Sequence, residues 1–162
     1  MKKLLLALLM VSAAVQIPMT SAVGASGTDI AKGRGTTFFA DPFDFSATAS
    51  FNDLGAKGSA RLGLGVGAIE ETLSGPVTCL RVAGNMAVVG GAITDINPPS
   101  ASLAVYRSYV IFASDSGKFG AGPDTLFYQF STSLPPPDGA CPVPLVGPPI
   151  SSGEIVIQDT IA

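Results

Sequence analysis

Apolar and polar residues alternate with period two along most of the chain after residue 28. Successive side chains of a β-strand point to opposite faces, so this period predicts strands with one buried face. Phe43, Phe45, Ala47, Ala49 and Phe51 alternate with Asp44, Ser46, Thr48 and Ser50. Ala60, Leu62, Leu64, Val66 and Ala68 alternate with Arg61, Gly63, Gly65 and Gly67. Glycine on that second face predicts close approach of another backbone, or local curvature. Residues 77–83 and 86–94 are β-rich arms around Gly84-Asn85, a pair that tolerates positive φ and predicts a two-residue hairpin turn. In the first arm Val77, Cys79 and Arg81 fall on one face. Thr78, Leu80 and Val82 fall on the other, the more core-like of the two, which leaves Cys79 to face a covering loop. Gly90-Gly91 predicts a bulge or bend in the returning strand.

Residues 104–113, 125–131 and 154–161 read as further strands. Leu126, Tyr128 and Phe130 lie opposite Phe127 and Gln129, and Ile155, Ile157 and Asp159 share a face. The nearest approach to helical periodicity is residues 66–73, and glycines interrupt it. No repeat of fixed period is present. Seven or eight short strands predict an all-β fold, an antiparallel β-sandwich, with a small closed β-barrel as the alternative.

The first 25 residues follow another pattern. Lys2 and Lys3 precede an apolar run from Leu4 to Val15, and Thr20 to Ala25 are small. This is the layout of a secretory signal peptide, and the run falls short of the roughly 20 residues a membrane-spanning helix needs. The expected organisation is a signal peptide over 1–25, cleaved after Ala22 or Ala25, and one domain over 26–162. The expected location is secreted or extracytoplasmic, with no stable membrane insertion after cleavage. Residues 155–162 carry no anchor pattern.

Charge and cysteine content narrow the functions. Net charge is −3, and removing Lys2 and Lys3 takes it to −5. That balance disfavours nucleic acid and anionic membrane as partners. The arginines at 34, 61, 81 and 107 are scattered along the chain and form no stripe. Two cysteines, Cys79 and Cys141, allow one pairing, which an exported chain favours; two separate buried thiols are the alternative. His and Trp are absent, so no Ser-His-Asp triad and no histidine ligand exists.

The remaining candidates for chemistry are carboxylates and lysines. Asp115 and Asp124 bracket a Gly-rich loop and offer oxygens for Ca²⁺, against the simpler reading of two Asp-capped turns. Glu70 and Glu71 are neighbours, which point to opposite faces of a strand. Gly63-Leu64-Gly65-Val66-Gly67 lacks the strand-loop-helix context of a nucleotide loop and reads as strand. Lys32, Lys57 and Lys118 sit beside Gly or Ala, as in exposed turns. Residues 134–149 hold seven prolines, which preclude a helix and suit a covering loop pinned through Cys141 to Cys79.

The run GPVTCLRVAGNMAVVGGAIT (75–94), the Asp-Ser-Gly loop before PDTLFYQF, the late Cys141 and the SGEIVIQD strand resemble a family of small exported bacterial all-β domains. These share a Gly-x-Val-x-Cys-Leu-x-Val-x-Gly-Asn-x-Ala-x-Val-Gly-Gly hairpin. The resemblance spans roughly residues 40–160. It implies the all-β fold and the Cys79–Cys141 bond, and it brings no catalytic residue. The expected function is a secreted, non-catalytic structural or binding module, without cofactor or metal, for an extracellular partner or ligand. Two alternatives stand: a barrel holding a small apolar ligand, marked by an internal cavity, and a carboxylate-dependent hydrolase, marked by two acids across an enclosed cleft.

Overall fold

A computed structural model describes residues 27–50, 55–65, 71–117, 122–137 and 140–160. The signal-peptide segment, Phe51, Val66 to Ala68, Glu70 and Lys118 lie outside them. Among the described residues there are nine strands and no helix: β1 (Thr28–Thr36), β2 (Pro42–Ser50), β3 (Lys57–Leu64), β4 (Glu71–Ala83), β5 (Met86–Ala92), β6 (Asp95–Asn97), β7 (Ser108–Ser114), β8 (Thr125–Ser131) and β9 (Ser152–Gln158). All pair antiparallel in the order β8-β7-β5-β4-β3-β2-β1-β9, with β6 beside β4. The fold is therefore all-β, one sheet curled into a half-barrel.

The corner of this sheet is β4. Its first half, Glu71 to Pro76, pairs with β3, and its second half, Val77 to Ala83, pairs with β5. Strands that change partners in this way usually do so at a bulge. Here Val77 opposes Gly91 and Cys79 opposes Gly90, so Thr78 is the extra residue. The irregularity expected at Gly90-Gly91 thus lies in the strand opposite them. It also corrects the face assignment. Val77 packs in the main core while Cys79 faces outward, although the two are only two apart. An extra residue shifts the alternation by one, which exchanges the faces.

Elsewhere the alternation matches the packing. Phe43, Phe45, Ala47, Ala60, Leu62, Ile111, Leu126, Ile155 and Ile157 are all buried inside the curl. The Gly84-Asn85 hairpin forms as expected, with Ala83 opposite Met86 and Gly84 at φ +61°. Two strands go beyond those the pattern marks. In β1 the inward positions are Ala31 and Gly33 rather than large residues, because the Phe45 ring fills that space; a Cβ on Gly33 falls 2.4 Å from it. β6 has only three residues, too few for a period to show. The strand read over 104–113 begins later, at Ser108, because residues 101–105 form a turn.

A second, smaller cluster lies on the outer face. Cys79, Val88, Phe112 and Cys141 are buried there, under the proline-rich segment that follows β8. Cys79 and Cys141 form a disulfide with their Cα atoms 5.7 Å apart. Thr78 adds a hydrogen bond from its hydroxyl to the Pro136 carbonyl at 2.7 Å. The segment then runs alongside β8, where Leu126 N–H donates to the Pro148 carbonyl and Ile150 N–H to the Asp124 carbonyl.

Candidate functional site

Four strands, β9, β1, β2 and β3, turn a polar face to solvent. Their register sets which side chains stand in line. Glu154 pairs with Arg34, Arg34 with Asp44, and Asp44 with Arg61. These residues share a face because each occupies the outward position of its strand. They form one row across the sheet in which charge alternates: acid, base, acid, base. Beyond β3 the row continues through Ser74 of β4 to Asp95 of β6. A parallel row runs Val156, Lys32, Ser46, Ser59.

The charged row is little used within the molecule. Arg34 Nε lies 3.9 Å from Asp44 Oδ2, with the two side chains 86% and 60% exposed. Such a pair contributes well under about 1 kcal/mol. Among the described residues Arg61 and Glu154 make no ion pair.

Open grooves flank the row on both sides. One, of about 780 Å³, lies between it and Lys32, Ser46 and Val156. Another, of about 360 Å³, lies between it and Thr36, Pro42, Gly63 and Ser152. Gly35 and Gly153 face each other across β1 and β9 at this level. A Cβ on Gly153 would sit 2.0 Å from the Arg34 carbonyl oxygen, so the backbone there must stay bare.

The face corrects two expectations. Arg34 and Arg61, scattered in sequence, stand on one row either side of Asp44. Lys32 lies within β1 and Lys57 opens β3, so neither is in a turn. The signals were Lys32-x-Arg34, Asp44 on the polar face of its strand, and Arg61 among alternating Ala and Leu. Nothing local revealed that these align.

Asp115 and Asp124 have a different role. Asp115 accepts from Gly117 N–H at 2.9 Å through Oδ1 and from Ile157 N–H at 3.1 Å through Oδ2. Asp124 accepts from Ser116 N–H at 3.0 Å and the Ser116 hydroxyl at 3.1 Å through Oδ1, and from Ile155 N–H at 2.8 Å through Oδ2. All four carboxylate oxygens thus accept hydrogen bonds from donors of the chain itself. Ile155 and Ile157 belong to β9, the last strand of the sheet among the described residues, so the two acids cap an edge beside which no further described strand lies. Among the described residues no three His, Cys, Asp or Glu side chains gather as metal ligands. Glu71 is in β4, opposite Leu64.

Two tyrosines sit near the ends of the core. Burial pushes the Tyr109 hydroxyl well above its ordinary pKa, and it donates to the Gly75 carbonyl. Burial does the same to Tyr128, reinforced by the negative charge of Asp41. Its hydroxyl donates to the Gly63 carbonyl at 2.7 Å. Both are locked donors in the wall of the half-barrel. The chain matches no protein-family model, no curated protein and no solved structure.

Proposed function

We propose that this protein is a secreted, non-catalytic structural or binding module that works by association through the outer face of β9, β1, β2 and β3. The observation that carries the reading is the Glu154-Arg34-Asp44-Arg61 row, built at fixed strand spacing and left largely unpaired within the fold. Charges held this way serve recognition better than stability, since exposed pairs add little to folding but steer and orient partners. The disulfide over the outer cluster suits an oxidising compartment. Asp115 and Asp124, the strongest carboxylate candidates for chemistry, are engaged in holding β9. The interior carries Phe43, Phe45, Leu62 and Tyr109 packed at no more than 2% exposure, which favours a solid core over a ligand-holding barrel.

The test is photo-crosslinking in cells that export the protein. A photoreactive residue at Ser46, on the charged face, is compared with one at Gln129 on the exposed side of β8. Adducts from position 46 and not from 129 are expected. Equal yields from both, or none from either, refute the reading.

A further inference from the structure

We infer that the partner of this face is a second copy of the same chain, docked face to face about a two-fold axis that runs parallel to the strands between β1 and β2. The inference rests on the association reading above and names its occupant.

Strand register sets which residues meet. A two-fold axis lying in the interface along the strand direction reverses the order of the strands but keeps each row opposite its own copy. β1 then lies over the second copy's β2, and β9 over its β3. On the charged row, Arg34 meets the second copy's Asp44, and Glu154 meets its Arg61. Each contact occurs twice by symmetry, as in any isologous interface. Four opposite-charge contacts result and no like charges meet on that row. The neighbouring row sets Lys32 against the second copy's Ser46 and Val156 against its Ser59. One row further, Gln158, Ile30, Thr48 and Lys57 align by register, so Lys57 meets Gln158 and Ile30 meets Thr48.

Charge also discriminates among partners. The face carries Lys32, Arg34, Lys57 and Arg61 against Asp44 and Glu154, while the whole chain is at −3. An anionic partner gains the arginines but is repelled by acids standing between and beside them at the same level. A second copy opposes each of Glu154, Arg34, Asp44 and Arg61 with its opposite. Four strands of about seven residues span roughly 20 by 23 Å, so at most about 900 Å² is buried over both copies, the outer strands of the curled sheet standing further from the axis. That is below the roughly 1,200 Å² of stable complexes, so the pair is a weak, reversible one.

The experiment is a charge exchange by mixing, read by sedimentation equilibrium and native mass spectrometry on the processed, exported protein. Arg34→Glu leaves acids at both 34 and 44, and Asp44→Arg leaves bases at both. Each variant alone places like charges across the axis twice and is expected to self-associate about tenfold or more weakly than the wild type. Mixed in equal amounts, the two are complementary at both contacts. A heterodimer of near wild-type strength is expected, and its mass is distinct from either homodimer. Both positions are exposed, and circular dichroism confirms that each variant is folded. A wild type that stays monomeric at millimolar concentration overturns the inference. So do single variants that weaken association without recovery on mixing, since the axis is then wrong. If crosslinks from position 46 carry a mass other than twice that of the chain, the association reading stands and the second copy is refuted. If no crosslink forms, both fall.

Discussion

Replacing Asp124 by Ala tests whether side chains rather than a neighbouring strand hold the β9 edge. The substitution removes three acceptor contacts: those to Ile155 N–H, Ser116 N–H and the Ser116 hydroxyl. The Ser116 groups are in a loop and regain water at little cost. Ile155 is 2% exposed, so its N–H is left without a partner. An unsatisfied buried donor costs about 1–3 kcal/mol, and contacts to an ionised acceptor stand at the upper end. We expect a loss of about 2–3 kcal/mol. Asn rescues little, because its NH₂ group faces donors on one side or the other. Native-state hydrogen exchange gives the clearest assay. A local cost of about 2 kcal/mol lowers protection of the Ile155 amide roughly 30-fold, whereas the paired amides of β5 and β7 follow only the global change. Unchanged protection at Ile155 and Ile157, or a loss spread evenly over all strands, refutes the edge-cap reasoning.

Four further outcomes follow from the packing and the charges. Replacing Cys79 and Cys141 together by Ser releases a loop with a sequence separation of 62 and should lower the unfolding free energy by roughly 2–5 kcal/mol in urea titration. Gly91→Ala puts a Cβ 2.1 Å from the Tyr109 hydroxyl oxygen and 2.3 Å from the Pro76 carbonyl, a clash expected to cost about 1–3 kcal/mol. Gly122→Ala, with nothing within 4 Å, should stay within about 0.5 kcal/mol of wild type. Burial raises the pKa of Asp29, partly offset by the Thr160 N–H it accepts, and Asp159 adds to the rise. A carboxyl with a raised folded-state pKa contributes stability below its unfolded value and loses it as pH climbs through the folded one. Asp29→Asn keeps an acceptor for Thr160, so urea midpoints should fall less between strongly acidic and neutral pH in the variant than in the wild type.

Features that depend on nearest neighbours along the chain are legible in the residues themselves. Alternation placed Phe43, Phe45 and Ala47 inside, and likewise Leu126 with Tyr128, and Ile155 with Ile157. Gly84-Asn85 placed the hairpin, and the two cysteines their bond. These signals are local because a strand's faces follow from its own period, and a tight turn from its own φ angles. The rest follows from contacts between distant segments. The bulge at Thr78 moved Cys79 to the face opposite Val77, and nothing in residues 77–83 announces an extra residue. Gly33 is small only because Phe45, on the next strand, occupies its space. Asp115 and Asp124 read as turn residues until β9, far along the chain, supplies the N–H groups they hold. The charged row needs three registers at once, joining residue 34 to 44, 44 to 61 and 34 to 154. Period tells which side of a strand a residue faces. Register tells what stands beside it, and register is set by the packing of segments that the sequence keeps apart.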